Sequence, residues 1–295
     1  MPDRPAVLVT GASSGIGEAV ARLLATRGWA VGVGYHSGRE RAERIVGEIE
    51  GTGGRAAAIG GDMSEEADVE RAFEGTEAAL GPLRGLVVNA GLQADAAFAD
   101  MTLEEWRKAM SVDLDGAFLA AREGVRRMMA CERPAARERP AAGDGNAQEG
   151  VAREGVAQEG VAQEGLARRP PRGAIVLVTS VHAWIPWAGH VNYAAAKGGA
   201  AMLMRSVAQE VAGDGIRVNA VAPGAIATPI NESVWGDEAK RAELMTLVPW
   251  GRMGEGRDVA EAVAWLLSDA ADYVTGTTLT VDGGMSLYPG FIGNG

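Results

Sequence analysis

The sequence predicts a doubly wound α/β fold, and three observations predict it. Short apolar runs alternate with amphipathic segments along nearly the whole chain. The runs are continuously apolar, as strands covered on both faces require. The first run passes directly into a glycine-rich turn and then a helix. A doubly wound parallel sheet with right-handed crossovers satisfies all three.

The elements follow in order. AVLVT (6–10) predicts a strand, followed by a helix near 15–28. WAVGVGY (29–35) precedes a helix near 38–52, RAAAIGGD (55–62) a helix near 65–80, and GLVVNAG (85–91) one helix near 102–129. AIVLVTS (174–180) leads to a helix near 192–213. IRVNAVAPG (216–224) leads through an irregular, tryptophan-containing stretch to a helix near 257–268, and TLTVDGG (278–284) reads as a last strand.

Residues 131–172 break this rhythm. They contain the tandem units VAREG, VAQEG and VAQEG from Val151 to Gly165, with almost no bulky apolar residue. A five-residue unit is too short for a solenoid, and such a segment buries too little surface to offset its ordering entropy. It reads as a disordered, low-complexity insertion into a single domain that spans 1–295. It joins a helix to the start of a strand, so it is expected on the rim opposite the ligand side, leaving catalysis intact.

Composition removes several classes. The chain has 295 residues, one cysteine (Cys131), three histidines, and 28 Lys+Arg against 39 Asp+Glu, for a net charge of −11. One cysteine excludes a disulfide framework and a multi-cysteine metal site. The acidic balance argues against nucleic-acid binding through a basic surface. No run has the length of a membrane span, and the start MPDRPAVLVTGASSG lacks the pattern of a signal peptide, so a cytoplasmic protein is expected. No metal is expected.

The turn after the first strand is Thr10-Gly11-Ala12-Ser13-Ser14-Gly15-Ile16-Gly17. Glycines there permit a tight turn and close approach of a pyrophosphate to backbone, and the following helix start supplies N–H donors. The spacing G-x-x-x-G-x-G differs from the usual G-x-G-x-x-G fingerprint. After the second strand comes Tyr35-His36-Ser37-Gly38-Arg39, with no carboxylate until Glu40. A carboxylate there would favour NAD, whereas Ser37, Arg39 and His36 suit a 2′-phosphate, favouring NADP or dual use. Arg39 reads equally as a solvated helix-start residue. Asp62, followed by Met63, is placed either to accept from an adenine amine or to cap the run near Ser64. Asn89-Ala90-Gly91 puts small residues where a cofactor could lie against backbone.

At the other end, Ser180 closes the fifth strand, and Tyr193 and Lys197 follow on N-Y-A-A-A-K. Positions i and i+4 share a helix face, so these two side chains project together. A phenol is a poor base at neutral pH, but a nearby ammonium favours the phenolate. Ser180 is placed to hold a substrate oxygen.

These motifs resemble the short-chain dehydrogenase/reductase family. The resemblance rests on Thr10-Gly11-x-x-x-Gly15-x-Gly17, Asn89-Ala90-Gly91, Ser180, Tyr193-x-x-x-Lys197 and Pro223-Gly224, and spans nearly everything outside 131–172. It implies a Rossmann-like doubly wound sheet of about seven parallel strands and NAD(P)-dependent interconversion of an alcohol and a carbonyl, with Tyr193 as acid/base. Lys197 would lower its pKa and hold the nicotinamide ribose, and Ser180 would position the reacting oxygen. Asn89 would lie along the cofactor, with Pro223, Gly224, Ile226 and Thr228 near the carboxamide. Homotetramers are usual in the family, and the apolar tail from Leu287 to Gly295 would pack across subunits.

A narrower resemblance is to bacterial glucose 1-dehydrogenases. It rests on Ser180-Val-His182-Ala-Trp184-Ile-Pro-Trp187, on the run from Pro223 to Asn231, and on the tail from Tyr273 to Pro289. It implies oxidation of an aldose to its lactone, with His182 either lining the sugar pocket or shaping it without touching substrate. Two departures stand out. Asp113 takes the place of an asparagine that, in the family, helps a proton relay through water; an ionised carboxylate only accepts. Gln93 stands where the similar glucose dehydrogenases carry an acidic residue. A sugar needs polar partners around His182, Asn192 and Asn231, whereas a 3-oxoacyl thioester or similar ketone suits the apolar Trp184, Ile185 and Trp187. A non-enzymatic nucleotide-binding regulator would be expected to lose Tyr193 or Lys197, and both are present.

Overall fold

The structure, a computed structural model, describes residues 4–131 and 171–287. All of the 131–172 segment but its ends, and the tail beyond Leu287, lie outside the described residues.

The first half runs β1 (Ala6–Val9), α1 (Gly15–Thr26), β2 (Ala30–Tyr35), α2 (Arg39–Gly51), β3 (Arg55–Gly60), α3 (Glu66–Leu80) and β4 (Leu83–Val88). It continues with α4 (Leu103–Met110) and α5 (Gly116–Ala130). The second half runs β5 (Gly173–Val178), α6 (Val191–Val211), β6 (Ile216–Pro223), β7 (Ile226–Ala227), α7 (Glu232–Trp235), α8 (Glu238–Met245), β8 (Gly254–Glu255), α9 (Gly256–Leu267) and β9 (Thr278–Val281).

The predicted alternation is realised as a seven-stranded parallel sheet in the order β3-β2-β1-β4-β5-β6-β9; β7 and β8 form a separate small pair. Strands from before and after the 131–172 segment share the sheet through the β4–β5 pairing. Both faces are covered. Val7, Val9, Val31 and Val33 pack with Val20, Leu24, Ile45, Val263 and Leu266 on one side. Leu8, Leu86, Ile175 and Val218 pack with Phe73, Met128 and Met204 on the other. Alternate residues of one strand serve opposite faces, which is why its sequence is apolar throughout.

The helix expected over 102–129 is not one α-helix. Its start is fixed by a capping box: the Glu105 N–H donates to Thr102 Oγ1 at 3.2 Å, and the Thr102 N–H to Glu105 Oε2 at 2.8 Å. Between α4 and α5, however, residues Ser111–Asp115 form a π-helical turn. The hydrophobic period of a sequence does not register one extra residue per turn, and such turns concentrate at functional positions. This one carries Asp113 into the interior.

The ends of the 131–172 segment meet at the base of β5. The Arg172 guanidinium donates to the carbonyls of Met129 (3.0 Å) and Cys131, and its N–H donates to the Gly215 carbonyl at 2.8 Å. Cys131, just past α5, and Arg172, just before β5, therefore lie together at the N-terminal end of β5.

Candidate active site

The chain order reverses around β1: β2 and β3 lie on one side and β4 on the other. Ligands of open α/β sheets bind beyond the carboxyl ends of the strands at such a point. Here a cavity of about 700 Å³ opens there, lined from the glycine turn through β4 and β5 to α6 and the residues after β6.

Thr10 latches the ends of β1 and β4 together. Its hydroxyl accepts from the N–H groups of Asn89 (2.9 Å) and Ala90 (3.0 Å). The Asn89 amide donates to the carbonyls of Thr10 (3.0 Å) and Gly11 (3.1 Å), so Asn89 holds the turn as well as lining the cavity. Gly11 and Gly15 both adopt positive φ. A Cβ on Gly17 would lie 2.5 Å from the Asn89 amide nitrogen and against the Gly11 carbonyl, so only glycine closes this turn. Ser14 caps α1 without a side-chain bond, and the hydroxyls of Ser13, Ser14 and Ser37 have no partner among the described residues. With Gly15 and Ile16 they line the cavity. Unengaged hydroxyls and N–H groups at a helix start fit a pyrophosphate.

The structure separates the two arginines after β2. Arg39, expected at the cofactor, points away: it is paired with Glu43 at 2.7 Å, its side chain is 73% exposed, and it does not line the cavity. One helical step decides this, because i,i+4 places Glu43 beside Arg39. Arg41, which sequence reasoning passed over, does line the cavity beside Ser37 and His36. Its guanidinium folds over Gly38, where a Cβ would lie 2.9 Å from Arg41 Nη2 and 2.7 Å from Ser13 Oγ. It has no ion-pair partner among the described residues. Asp62 Oδ1 accepts from the Ser64 N–H (2.9 Å) and hydroxyl (2.7 Å), closing a turn ahead of α3, whose N-cap is Glu65, while Oδ2 lies 3.6 Å from His36 Nε2. The bonds from Ser64 hold its carboxyl below the usual range. Asp62 and Met63 both line the cavity.

Ser180, Tyr193, Lys197 and Asp113 line the same cavity, together with Gly91, Pro223, Gly224, Ile226 and Thr228; Gly91 lies against Asp113 and Lys197, whereas Thr228 lies against Gly15 of the turn. The Ser180 oxygen accepts from the His182 N–H at 3.1 Å, leaving its own O–H to donate. Lys197 Nζ lies 5.5 Å from the Tyr193 ring centre, 2.7 Å from Asp113 Oδ1 and 3.4 Å from the Val178 carbonyl. Burial pushes the ammonium down, but the Asp113 charge, with Tyr193, more than offsets this and holds it above its usual value. Asp113 thus contacts Lys197 directly. The Tyr193 hydroxyl has no partner among the described residues.

His182 does not line the cavity. Its Nδ1–H donates to the Ile185 carbonyl at 3.1 Å, and its ring stacks on Trp187 at 4.2 Å. Burial keeps the imidazole below its usual pKa, hence neutral at pH 7. Trp187 stacks on His190 as well (3.6 Å) and meets the Tyr193 ring edge-on at 6.1 Å. His190 Nδ1 pairs with Asp95 at 2.6 Å. Asn192 is fully buried: its amide donates to the carbonyls of Ala94 (2.7 Å) and Glu105 (3.3 Å), and its oxygen accepts from the Tyr193 N–H at 2.8 Å. This fixes the start of α6, and with it the direction of Tyr193. Neither the aromatic stack nor the Asn192 anchor is legible in local spacing, because each depends on the β4–α4 loop or on ring orientation.

No group of three His, Cys, Asp or Glu among the described residues is placed to hold a metal ion, and no described helix is long and apolar enough to cross a membrane.

A nucleotide turn and a Ser–Tyr–Lys set at the two ends of one cavity define an NAD(P)-dependent oxidoreductase. Comparison with known proteins gives the same class. The short chain dehydrogenase pattern matches residues 5–137, and the related enoyl-(acyl carrier protein) reductase pattern matches 156–286. The chain belongs to the short-chain dehydrogenase/reductase family. It is 38% identical to 3beta-hydroxysteroid dehydrogenase 1 of Eggerthella lenta, over 97% of this chain and 95% of the relative. It is 35% identical to glucose 1-dehydrogenase of Gluconobacter oxydans, over 98% and 94%. The crystal structure of acetoin dehydrogenase from Enterobacter cloacae superimposes with a TM-score of 0.75 at 36% identity, covering 97% of this chain and 96% of that one.

Proposed function

We propose that the protein interconverts a secondary alcohol and a ketone on a largely apolar substrate, with NADP favoured over NAD. The observation that carries the reaction type is that Tyr193, Lys197 and Ser180 line the cavity that begins at the glycine turn. The bound nicotinamide supplies the hydride acceptor or donor. The Ser180 O–H holds the substrate oxygen. The Tyr193 hydroxyl exchanges the proton with that oxygen. Lys197 has a third N–H beyond its contacts to Asp113 and Val178, suited to a ribose hydroxyl. Support for NADP is the unpaired Arg41 guanidinium beside Ser13 and Ser37, together with the lack of a carboxylate at the end of β2.

Three side chains favour an apolar substrate over a sugar. A sugar would need polar partners around His182, Asn192 and Asn231; each of the three is engaged internally, and only Asn231 lines the cavity. Asn231 accepts from the Thr228 N–H and hydroxyl, both at 3.0 Å, and donates to the Ile226 carbonyl at 2.9 Å. Leu92 and Ile230 line the cavity, and Trp187 flanks Tyr193. The hydroxysteroid dehydrogenase relative acts, by its name, on such an apolar alcohol.

The second reading, oxidation of a glucose-like aldose, is favoured by the 35% identity to a glucose 1-dehydrogenase and by the polar Gln93 and Lys108 in the lining. The test is an assay with a hydroxysteroid and with glucose, each with NADP⁺ and NAD⁺. Oxidation of the ring alcohol with glucose inert supports the first reading, and the reverse establishes the second. If neither is oxidised by protein that binds cofactor, 3-oxoacyl thioesters become the next substrates.

We also read the protein as a cytoplasmic homotetramer. Exposed Phe118 on α5, Met202 on α6 and Trp265 on α9 are apolar surface that further copies would cover.

A further inference from the structure

Asp113 is the one buried carboxylate that lines the cavity among the described residues. Its side chain is 0% exposed and that of Lys197 8%. Oδ1 lies 2.7 Å from Lys197 Nζ, and Oδ2 accepts from the Leu92 N–H at 3.1 Å. The pair has space only because residue 91 is glycine: a Cβ there would lie 2.6 Å from Asp113 Oδ1 and 3.2 Å from Lys197 Nζ. Backbone on the β4–α4 loop, the π-helical turn and α6 therefore build one closed ion pair.

The charged and titratable groups around this pair are few. From α6 comes Tyr193, with the Lys197 ammonium 5.5 Å from its ring centre. From β5 comes only the Val178 carbonyl. From the β4–α4 loop come the Leu92 N–H and the uncharged Gln93, and from α4 the Lys108 side chain, which lines the cavity. On its other side Tyr193 meets Trp187, which stacks on His182 and on His190, itself paired with Asp95 at 2.6 Å; the carboxylate in direct contact with the Lys197 ammonium is Asp113.

A lone ammonium beside a phenol favours its ionised form. A carboxylate in contact with that ammonium opposes the effect, so the phenol meets a nearly neutral pair. We propose that Asp113 is a positioning residue which, by pairing with Lys197, holds turnover to a more alkaline pH range than a neutral side chain at 113 would. The inference rests on Tyr193 acting as the acid/base of the proposed dehydrogenase. The carboxylate also keeps the buried ammonium charged, so its removal has a second consequence: Lys197 releases its proton more readily.

The experiment is the pH–rate profile of alcohol oxidation by the wild-type protein and by Asp113→Asn, with reduced-cofactor binding followed by fluorescence. The acid limb of Asp113→Asn is expected about two pH units below that of the wild type, the scale of one charge acting over roughly 6 Å near a protein surface. A new loss of rate is expected on the alkaline side, making the profile bell-shaped. Asp113→Glu, which retains the charge, is expected to restore the wild-type limb. Asp113→Ser carries the same expectation as the amide if Asp113→Asn does not fold. Superimposable profiles for the wild type and a folded neutral variant overturn the inference while leaving the dehydrogenase reading intact. Cofactor binding without turnover of any alcohol or ketone at any pH overturns the dehydrogenase reading itself.

Discussion

The two ends of the cavity are built on opposite terms. At the chemical end, polar groups satisfy one another: Lys197 with Asp113, Asp113 with the Leu92 N–H, Asn192 with three backbone groups. At the nucleotide end the hydroxyls of Ser13, Ser14 and Ser37 and the Arg41 guanidinium stand without partners among the described residues. The difference follows from what each end must do. Proton transfer needs a fixed direction and a fixed field, which buried, mutually bonded groups supply before any ligand arrives. Phosphate recognition needs donors that are available, and a surface site loses little by leaving them hydrated until the anion binds.

The largest expected effect is at the fixed end. Tyr193→Phe removes the hydroxyl proposed to exchange the proton and leaves the ring against Trp187. Turnover is expected to fall by about 10²–10⁴-fold, the usual scale of a positioned acid/base. Affinity for the reduced cofactor, read by fluorescence titration, is expected to stay within about twofold, since the Tyr193 hydroxyl has no hydrogen-bond partner among the described residues. Near-normal turnover would remove Tyr193 from its role and erase the contrast between the two ends.

A smaller effect is expected at the open end. Arg41→Ala would remove the proposed charge-assisted contact to a 2′-phosphate but no ion pair among the described residues. NADPH affinity is expected to weaken by about 10–100-fold, as for loss of a charged hydrogen bond, while NADH affinity is unchanged. Equal weakening of both cofactors would mean that Arg41 supports the turn rather than reading a 2′-phosphate.

How much of this was legible in the sequence differs between the same two ends. The sheet, its crossovers and the Tyr193–Lys197 face could be read directly, because strand and helix periods are local and i,i+4 geometry is fixed. The glycine turn was legible for the same reason. The partner of Lys197 was not, although Asp113 was noticed as a departure, because the π-helical turn that aims it inward leaves no periodic trace. The surroundings of His182, Asn192 and Asn231 were hidden for a related reason. Sequence shows which donors exist, but not that Asn192 is engaged by a loop nearly a hundred residues upstream or that His182 faces Trp187.

Arg39 and Arg41 make the smallest and sharpest test. Two residues apart at the start of α2, they differ by roughly 200° in direction around a helix. Arg39 has Glu43 at i+4, and an exposed pair of this kind contributes little to stability. Arg41 turns over Gly38 toward Ser13. Arg39→Ala is therefore expected to change neither cofactor's affinity by more than about twofold, and to alter the melting temperature by no more than about a degree or two. Measured beside Arg41→Ala with the same two cofactors, it separates the loss of a positive charge near the site from the loss of one aimed into it. If Arg39→Ala weakened NADPH as strongly as Arg41→Ala, diffuse positive potential rather than a directed contact would govern the nucleotide end. The opposition between a fixed chemical end and an open, donor-specific nucleotide end would then fail on its second half.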